Sequence, residues 1–461
     1  MAILYADDTI CAIATPLGEG GIGVVRLSGG KALETADKVF RGAGGKGLSG
    51  MDSHTIRYGH IVNREGKALD EVMVSFFKAP RTYTREDMVE ISTHGGARIL
   101  RSVLEVLLQS GARHAEPGEF TKRAFLNGRL DLAQAEAVLD LIKAKTDAAR
   151  DQALRQLQGE FSKEIGRLRE KLLKLCAHVE AYVDFPEDDI EVYSRGEFLA
   201  QFEELAGDIQ KLLKTFEQGA VLRDGILAVI VGRPNVGKSS LLNALLDRDR
   251  AIVSDMPGTT RDALEEDLEI AGVLIRIVDT AGIRSQSEGV EKIGIEKTRE
   301  YMERAQFFLV VMDGSQELQD EDKKIYQEIR KKKHVLVVNK VDLSLCLTPE
   351  KLASLEPDQT CFVSVRENRG LEDLEKKIAD LALDGGLQTE SAVVTKARHR
   401  IALEKAYDAI LKARGAFQKQ LSLEFIAFDL REALDRLGEI VGEIYTDDIL
   451  DIVFREFCIG K

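Results

Sequence analysis

The sequence predicts a multidomain protein that combines mixed α/β and all-α parts. A mixed α/β domain comes first, and a helical domain interrupted by a doubly wound parallel-sheet domain follows. Three observations carry this. Short apolar stretches separated by glycines fill residues 1–118. Apolar residues at spacings of three and four then take over. From Ile226 apolar runs alternate with helical runs, the pattern of a parallel sheet covered on both faces.

In the first segment, Ile22–Leu27 and Val72–Phe77 read as strands, separated by glycine-rich turns at Gly18, Gly20, Gly21 and Gly23. Arg98–Gln109 has helical spacing, closed by Gly111. From Pro117, Ala135, Val138, Leu139 and Ile142 recur at helical intervals. Ile165, Leu168, Leu172, Leu175 and Val179 form one stripe of a long helix. Asp184–Ile190, with Pro186, breaks the pattern, and another helical run reaches about Gly219. Strands are expected at Ile226–Val231, Val273–Val278, Phe307–Met312, Val335–Val338 and Cys361–Val365. After the polar linker Asp384–Ser391, helical spacing returns at Leu430, Ala433, Leu434, Leu437, Ile440 and Ile444. The expected domains are 1–118, 119–222, 223–383 and 384–461, the second and fourth being halves of one helical domain.

Composition sets bounds. At about 100–200 residues per domain, 461 residues make two to four domains. No apolar run approaches the roughly 20 residues that span a bilayer. The opening MAILYADDTICAIATP has no basic region or long apolar core, so no secretory leader and a cytoplasmic location are expected. The five cysteines form no CxxC pair, which argues against a zinc site or a disulfide framework. A net charge of −14 opposes a protein that coats nucleic acid with its own surface, though not one that binds it at a local patch or through a basic partner.

Residues 232–239 read GRPNVGKS, between an expected strand and the helical run Leu241–Leu246. This is the context a phosphate-binding loop requires. Gly232 and Gly237 let the backbone curl so that the amides of Asn235, Val236, Gly237, Lys238, Ser239 and Ser240 face phosphate. Lys238 sets a charge against the outer phosphates, Ser239 is a Mg2+ ligand, and the helix adds its positive end. NKVD at 339–342 ends another apolar run: Asp342 can accept both N–H groups of the guanine edge, with Asn339 bracing the base and Lys340 among the expected GTP contacts. Between the two motifs stands Asp279-Thr280-Ala281-Gly282, with Asp279 holding Mg2+ through water and the Gly282 amide meeting the terminal phosphate. Ser364 follows the next strand and caps the base. The combination reads as a GTPase.

This order of motifs resembles the translation-factor-related GTPases over residues 223–383. Thr260, in Gly258-Thr259-Thr260-Arg261-Asp262, matches the switch threonine that completes the Mg2+ shell. Where Ras-like enzymes have a water-orienting Gln, this chain has Ile283, which can neither donate nor accept. Asn235 matches the asparagine of a potassium-dependent subclass. The resemblance implies K+ held by Asn235 and by the loop Ser254–Thr259 (Ser254, Asp255, Met256, Pro257, Gly258, Thr259), with Ser254, Met256 and Thr259 as ligands. The ion would take the place of an arginine finger.

The whole chain resembles the MnmE, or TrmE, family of tRNA-modification GTPases. The tail Phe457-Cys458-Ile459-Gly460-Lys461 and the segment PGEFTKRAFLNGRLDLAQAEAVLDLI at 117–142 carry the likeness. It implies an N-terminal folate-binding domain that dimerises, a helical domain split around the G domain, and G domains that meet when GTP and K+ are bound. It implies that Glu291, in Val290-Glu291-Lys292-Ile293-Gly294, positions the attacking water, and that Arg284 ties the switch together. Arg26, Glu86, Arg129 and Lys461 are the implied contacts of a 5-formyl- or methylene-tetrahydrofolate. Cys458 either does chemistry in that pocket or simply packs. His94-Gly95-Gly96 is expected to shape a turn. The implied reaction modifies C5 of the tRNA wobble uridine with an FAD-dependent partner of the MnmG type, in a heterotetramer or larger. Gly18–Gly23, GEGGIG, follows no clear strand and is no dinucleotide fingerprint, which assigns redox chemistry to that partner.

Two other readings compete. A ribosome-assembly or translation switch shares the GTPase core, but residues 384–461 show neither a GxxG loop nor a basic tail. A folate-dependent transferase with a merely regulatory GTPase would modify tRNA without needing GTP hydrolysis.

Overall fold

The computed structural model describes residues 8–184, 194–249, 265–279, 299–357, 359–383 and 392–461. They form two compact units, one of residues up to Leu139 together with Gly438–Lys461, the other of Asp140–Leu437.

The first unit holds a seven-stranded sheet of order β3-β4-β5-β6-β2-β1-β7. Its strands are β1 (Ile10–Ile13), β2 (Gly20–Ser28), β3 (Phe40–Gly42), β4 (Thr55–Val62), β5 (Ala68–Phe77), β6 (Met88–Gly95) and β7 (Arg113–His114). Only β1 and β7 run parallel. Helices Ala32–Val39 and Ala97–Gln109 cover one face, burying Val25, Leu27, Val74 and Ile91 against Leu100 and Val103. Each such side chain contributes about 1.5–3 kcal/mol.

Here the glycine-rich stretch departs from expectation. Gly20, Gly21 and Gly23 are not turns but part of β2, and strand β1 precedes them. A Cβ on Gly23 would lie 2.7 Å from Leu100 Cδ2. The missing side chain lets helix Ala97–Gln109 sit close on the sheet. Likewise His94 and Gly95 end β6, and Gly96 caps the helix that follows.

The chain's C-terminus packs in this unit. Helix Asp447–Arg455 buries Leu450, Val453 and Phe454 against Phe125 and Leu132. Ile459 bridges Pro117.

The second unit holds a six-stranded sheet of order β13-β12-β11-β8-β10-β9. These are β8 (Ile226–Val231), β9 (Glu265–Ile270), β10 (Val273–Asp279), β11 (Phe307–Asp313), β12 (His334–Asn339) and β13 (Thr360–Phe362). All are parallel except β9, an antiparallel edge strand absent from the sequence reading. The chain fills one side of β8 with β9 and β10, then crosses to β11 on the other. That reversal puts the topological switch point at the C-terminal end of β8, where open α/β sheets bind ligands.

The long stripe falls on helix Glu160–Asp184, with Ile165, Leu168 and Leu172 fully buried. Helices from both sides of the sheet domain in sequence pack together: Phe198 and Phe202 of Arg195–Lys214 meet Phe417 of Ala397–Gln418 at 5.2 and 6.0 Å between rings. Among the described residues no helix is long and apolar enough to cross a membrane.

Candidate functional site

Strand β8 ends at Val231, and the phosphate loop begins at once. Gly232 (φ +152°) and Gly237 (φ +101°) hold backbone conformations that side chains disfavour. A Cβ on Gly232 would lie 2.3 Å from the Val311 carbonyl, and one on Gly237 2.3 Å from Asn339 Nδ2. Val236 points into the core and pins the loop. Helix Lys238–Asp249 then starts, its unsatisfied N–H groups at the loop. Lys238 Nζ donates to the carbonyls of Gly232 at 2.8 Å and Arg233 at 2.7 Å, which aims the ammonium across the cradle.

Ser239 Oγ donates to Asp279 Oδ2 at 2.5 Å, so the hydroxyl and the carboxylate that ends β10 already share one point. An all-oxygen donor set next to a phosphate cradle fits Mg2+, which favours carboxylates, phosphates and water. When bound, Mg2+ neutralises phosphate charge; Ser239 and Asp279 are the described side chains that would hold it.

The residues expected to recognise the base stand at the ends of β12 and β13. Asn339, 3% exposed, donates from Nδ2 to the Val236 carbonyl at 3.0 Å and accepts at Oδ1 from the Val365 amide at 3.3 Å. Its side chain braces the walls of the site to each other. Lys340 (φ +64°) donates to the Asn235 carbonyl at 2.8 Å and to Asp313 Oδ2 at 2.7 Å. Ser364 Oγ donates to Asp342 Oδ1 at 2.7 Å, and this bond holds the Asp342 carboxyl below the usual carboxylate range. Asp342 is therefore an ionised acceptor at neutral pH, suited to the paired N–H donors of guanine.

Lys238, Ser239, Ser240, Asp279, Asn339, Lys340, Asp342 and Ser364 thus gather at the C-terminal edge of one sheet. Asn235 stands in the loop at φ +63°, exposed, with no partner for its amide among the described residues. Ser254 through Thr260, Thr280, Ala281, Gly282, Arg284 and Glu291 lie outside the described residues. Sequence reading missed Asp313, Gln316 and the Arg233–Asp322 pair. The available signal was a single carboxylate ending the otherwise apolar β11.

The first unit has its own cleft of about 540 Å3, lined by Tyr83, Arg81, Arg85, Met88, Glu90 and Arg129 among others. The Arg129 guanidinium lies 4.6 Å from the Tyr83 ring centre and donates to the Tyr83 carbonyl. Arg26 pairs with Glu90 at 2.8 Å and reaches the Gly460 carbonyl at 3.4 Å, beside the tail. Burial, then the charge of Arg26, push the Lys461 ammonium down. Cys458 is exposed. Glu86 follows Arg85 and its carbonyl accepts from Thr82, but its carboxylate is engaged elsewhere. It accepts from Ser28 Oγ at 2.7 Å and from the buried Arg123 at 3.1 Å, and Arg123 also holds Asp8 and Glu119. The acid that lines the cleft is Glu90.

A phosphate loop at the switch point of a doubly wound sheet, a Ser–Asp pair and the ionised Asp342 of an NKxD motif define a P-loop GTPase. The family description "MnmE helical domain" matches residues 132–458, and "GTP-binding protein TrmE N-terminus" matches 9–129. The tRNA modification GTPase MnmE of Alkaliphilus oremlandii is 49% identical over 99% of this chain and 100% of its own. That of Geobacillus kaustophilus is 46% identical over 98% and 99%. Among solved structures, the G domain of the T. maritima FeoB iron transporter aligns at 26% identity and a TM-score of 0.27, covering 34% of this chain and 98% of that one. The chain belongs to the MnmE family of tRNA modification GTPases.

Proposed function

We propose that this tRNA modification GTPase works with K+ and acts on the wobble uridine. GTP hydrolysis in the G domain, residues 223–383, drives association of G domains within a homodimer. The resulting rearrangement serves modification at uridine C5, with an FAD-dependent partner of the MnmG type and a tetrahydrofolate one-carbon unit. The helical segments 119–222 and 384–461 act as one domain around the G domain.

The observation that carries the K+ part is Asn235. Its carbonyl is already taken by Lys340, which leaves the exposed side-chain amide at the rim of the phosphate cradle for another ligand. With Ile283 where a water-orienting glutamine would stand, other groups must align the water and offset charge in the transition state. Asn235, Ser254, Met256 and Thr259 would hold K+, Thr260 would join Ser239 on Mg2+, and Glu291 would position the water.

The folate part is supported by the cleft beside Arg26. Its volume is that of a small-molecule site, and cations and an aromatic ring suit an anionic aromatic ligand. Arg26, Arg129 and Lys461 remain the proposed contacts, with Glu90 in place of Glu86. Cys458 is exposed in the same tail.

GTP turnover measured in K+ and in Na+ at equal ionic strength tests the reading. Much faster turnover in K+ is expected. Equal turnover removes the K+ mechanism and leaves the GTPase in place.

A further inference from the structure

We infer that Arg233 is a positioning residue that sets the grip of the phosphate loop on nucleotide by bolting the loop to the segment after β11. Arg233 occupies one of the variable positions of the loop, and its side chain turns away from the phosphate cradle. Nε donates to Asp322 Oδ1 at 2.8 Å, and Nη2 to Gln316 Oε1 at 3.4 Å. The Arg233 side chain is 16% exposed and the Asp322 side chain 2%. Asp322 is itself fixed, since its Oδ2 accepts the Gln319 amide at the start of helix Asp320–Ile329. A carboxylate this buried is tolerable only with its cation in place.

Two chains of contacts run from this anchor to the nucleotide. Along the first, the Arg233 peptide carbonyl accepts from Lys238 Nζ, so anchoring the side chain orients the acceptor that aims the phosphate-binding ammonium. Along the second, Gln316 Nε2 donates to Asp313 Oδ2 at 3.3 Å. The same oxygen accepts from Lys340, whose ammonium returns to the loop at the Asn235 carbonyl. Arg233, Gln316, Asp313, Lys340 and Asn235 form a closed polar ring. The ring braces the loop at two points and joins it to the base reader Asp342, two residues beyond Lys340. Loop geometry is therefore set before nucleotide arrives, which lowers the ordering cost of binding.

The test uses the full chain and a fluorescent GDP analogue carrying an N-methylanthraniloyl group. In Arg233→Ala the analogue should dissociate about tenfold faster, and KM for GTP should rise by a similar factor while kcat changes less than about twofold. Arg233→Lys, which can still reach Asp322 but not both partners, should recover part of the loss. Asp322→Asn should add nothing to the dissociation rate of Arg233→Ala, because both remove one linkage. A general loss of stability would instead lower the unfolding midpoint without splitting KM from kcat. If Arg233→Ala is insoluble, Arg233→Lys and the exposed Gln316→Ala decide, each expected to speed dissociation. Wild-type dissociation in the folded variants, or additive effects of Arg233→Ala and Asp322→Asn, overturns the inference.

Discussion

The Ser364 hydroxyl donates to Asp342 Oδ1 at 2.7 Å, so the Asp342 carboxylate is oriented by the segment after the strand next to its own. That bond uses one lone pair of one oxygen and leaves acceptor capacity on the carboxylate for two guanine N–H groups. It also keeps the carboxyl ionised, because hydrogen bonding to the charged form depresses its pKa.

Asp342→Asn should weaken GTP binding by at least about 10²-fold, since hydrogen bonds to a charged acceptor contribute about 1.5–3 kcal/mol each. Xanthine nucleotide should gain, because the new amide donates to the oxygen that xanthine carries in place of the guanine amine. With the wild-type pKa depressed, GTP affinity should hold across neutral and mildly acidic pH and fall only as pH drops through that lowered value. Competition of GTP and XTP against a fluorescent analogue measures both; undiminished GTP affinity in the variant would discard the base-reading role.

Gly237→Ala should cost about 10²-fold in GDP affinity. The added Cβ meets Asn339 Nδ2 at 2.3 Å, and the backbone at φ +101° admits alanine only with strain. Strain of about 1–3 kcal/mol and the loss of the Asn339–Val236 hydrogen bond, about 1 kcal/mol, fall together on the loop that must meet phosphate. Titration with the fluorescent GDP analogue would reject this if affinity stays within twofold of wild type.

What local pattern reveals, and what it hides, follows from where each residue's partners lie. Strands β11 and β12 are buried on both faces, so FFLVVMD and HVLVVN read as continuous apolar runs. Edge strand β9, EEDLEI, fully buries only Leu268 and Ile270, and its acids read as loop. Gly23 is legible as a glycine but not as a seat for Leu100, a residue far along the chain. The packing of Leu450 and Phe454 on Phe125 joins segments more than 300 residues apart, and no local spacing announces it. At the nucleotide site, motif residues were visible because phosphate and guanine demand fixed residue types at fixed spacing. Asp313, Gln316 and Asp322 act through the loop rather than on the ligand, so no such spacing marks them.

His94 and Asp70 make a pH-dependent contact on the first unit's sheet. His94 Nδ1 lies 2.7 Å from Asp70 Oδ1, and this hydrogen bond raises the His94 pKa. A raised folded-state pKa means the pair stabilises fully below the ordinary histidine value of about 6.5, and the contribution is lost as pH rises through the higher folded value. NMR titration should place the His94 midpoint above that of a model histidine, and Asp70→Asn should bring it back down. Coincident midpoints in the two proteins would show that Asp70 does not hold the proton.

Glu86 and Glu90 separate structure from binding in the first unit. Glu86 faces Arg123, which is 3% exposed and depends on several acids for its charge balance. Glu86→Gln should lower stability by about 2 kcal/mol, the scale of a hydrogen bond to a charged group. Arg123 keeps Asp8 and Glu119, which limits the loss. Glu90 pairs with Arg26 where both are partly exposed, at 29% and 18%, so Glu90→Gln should shift the unfolding midpoint little. If the cleft takes 5-formyl-tetrahydrofolate, the ranking reverses for binding. Glu90→Gln removes the carboxylate proposed to accept from the N–H edge of the pterin and unseats Arg26 from its place, weakening the ligand about tenfold, while Glu86→Gln leaves affinity close to wild type. Calorimetric titration alongside thermal unfolding of both variants gives the four numbers needed. A ligand loss confined to Glu86→Gln would return the role to Glu86 and move the proposed folate contact out of the cleft.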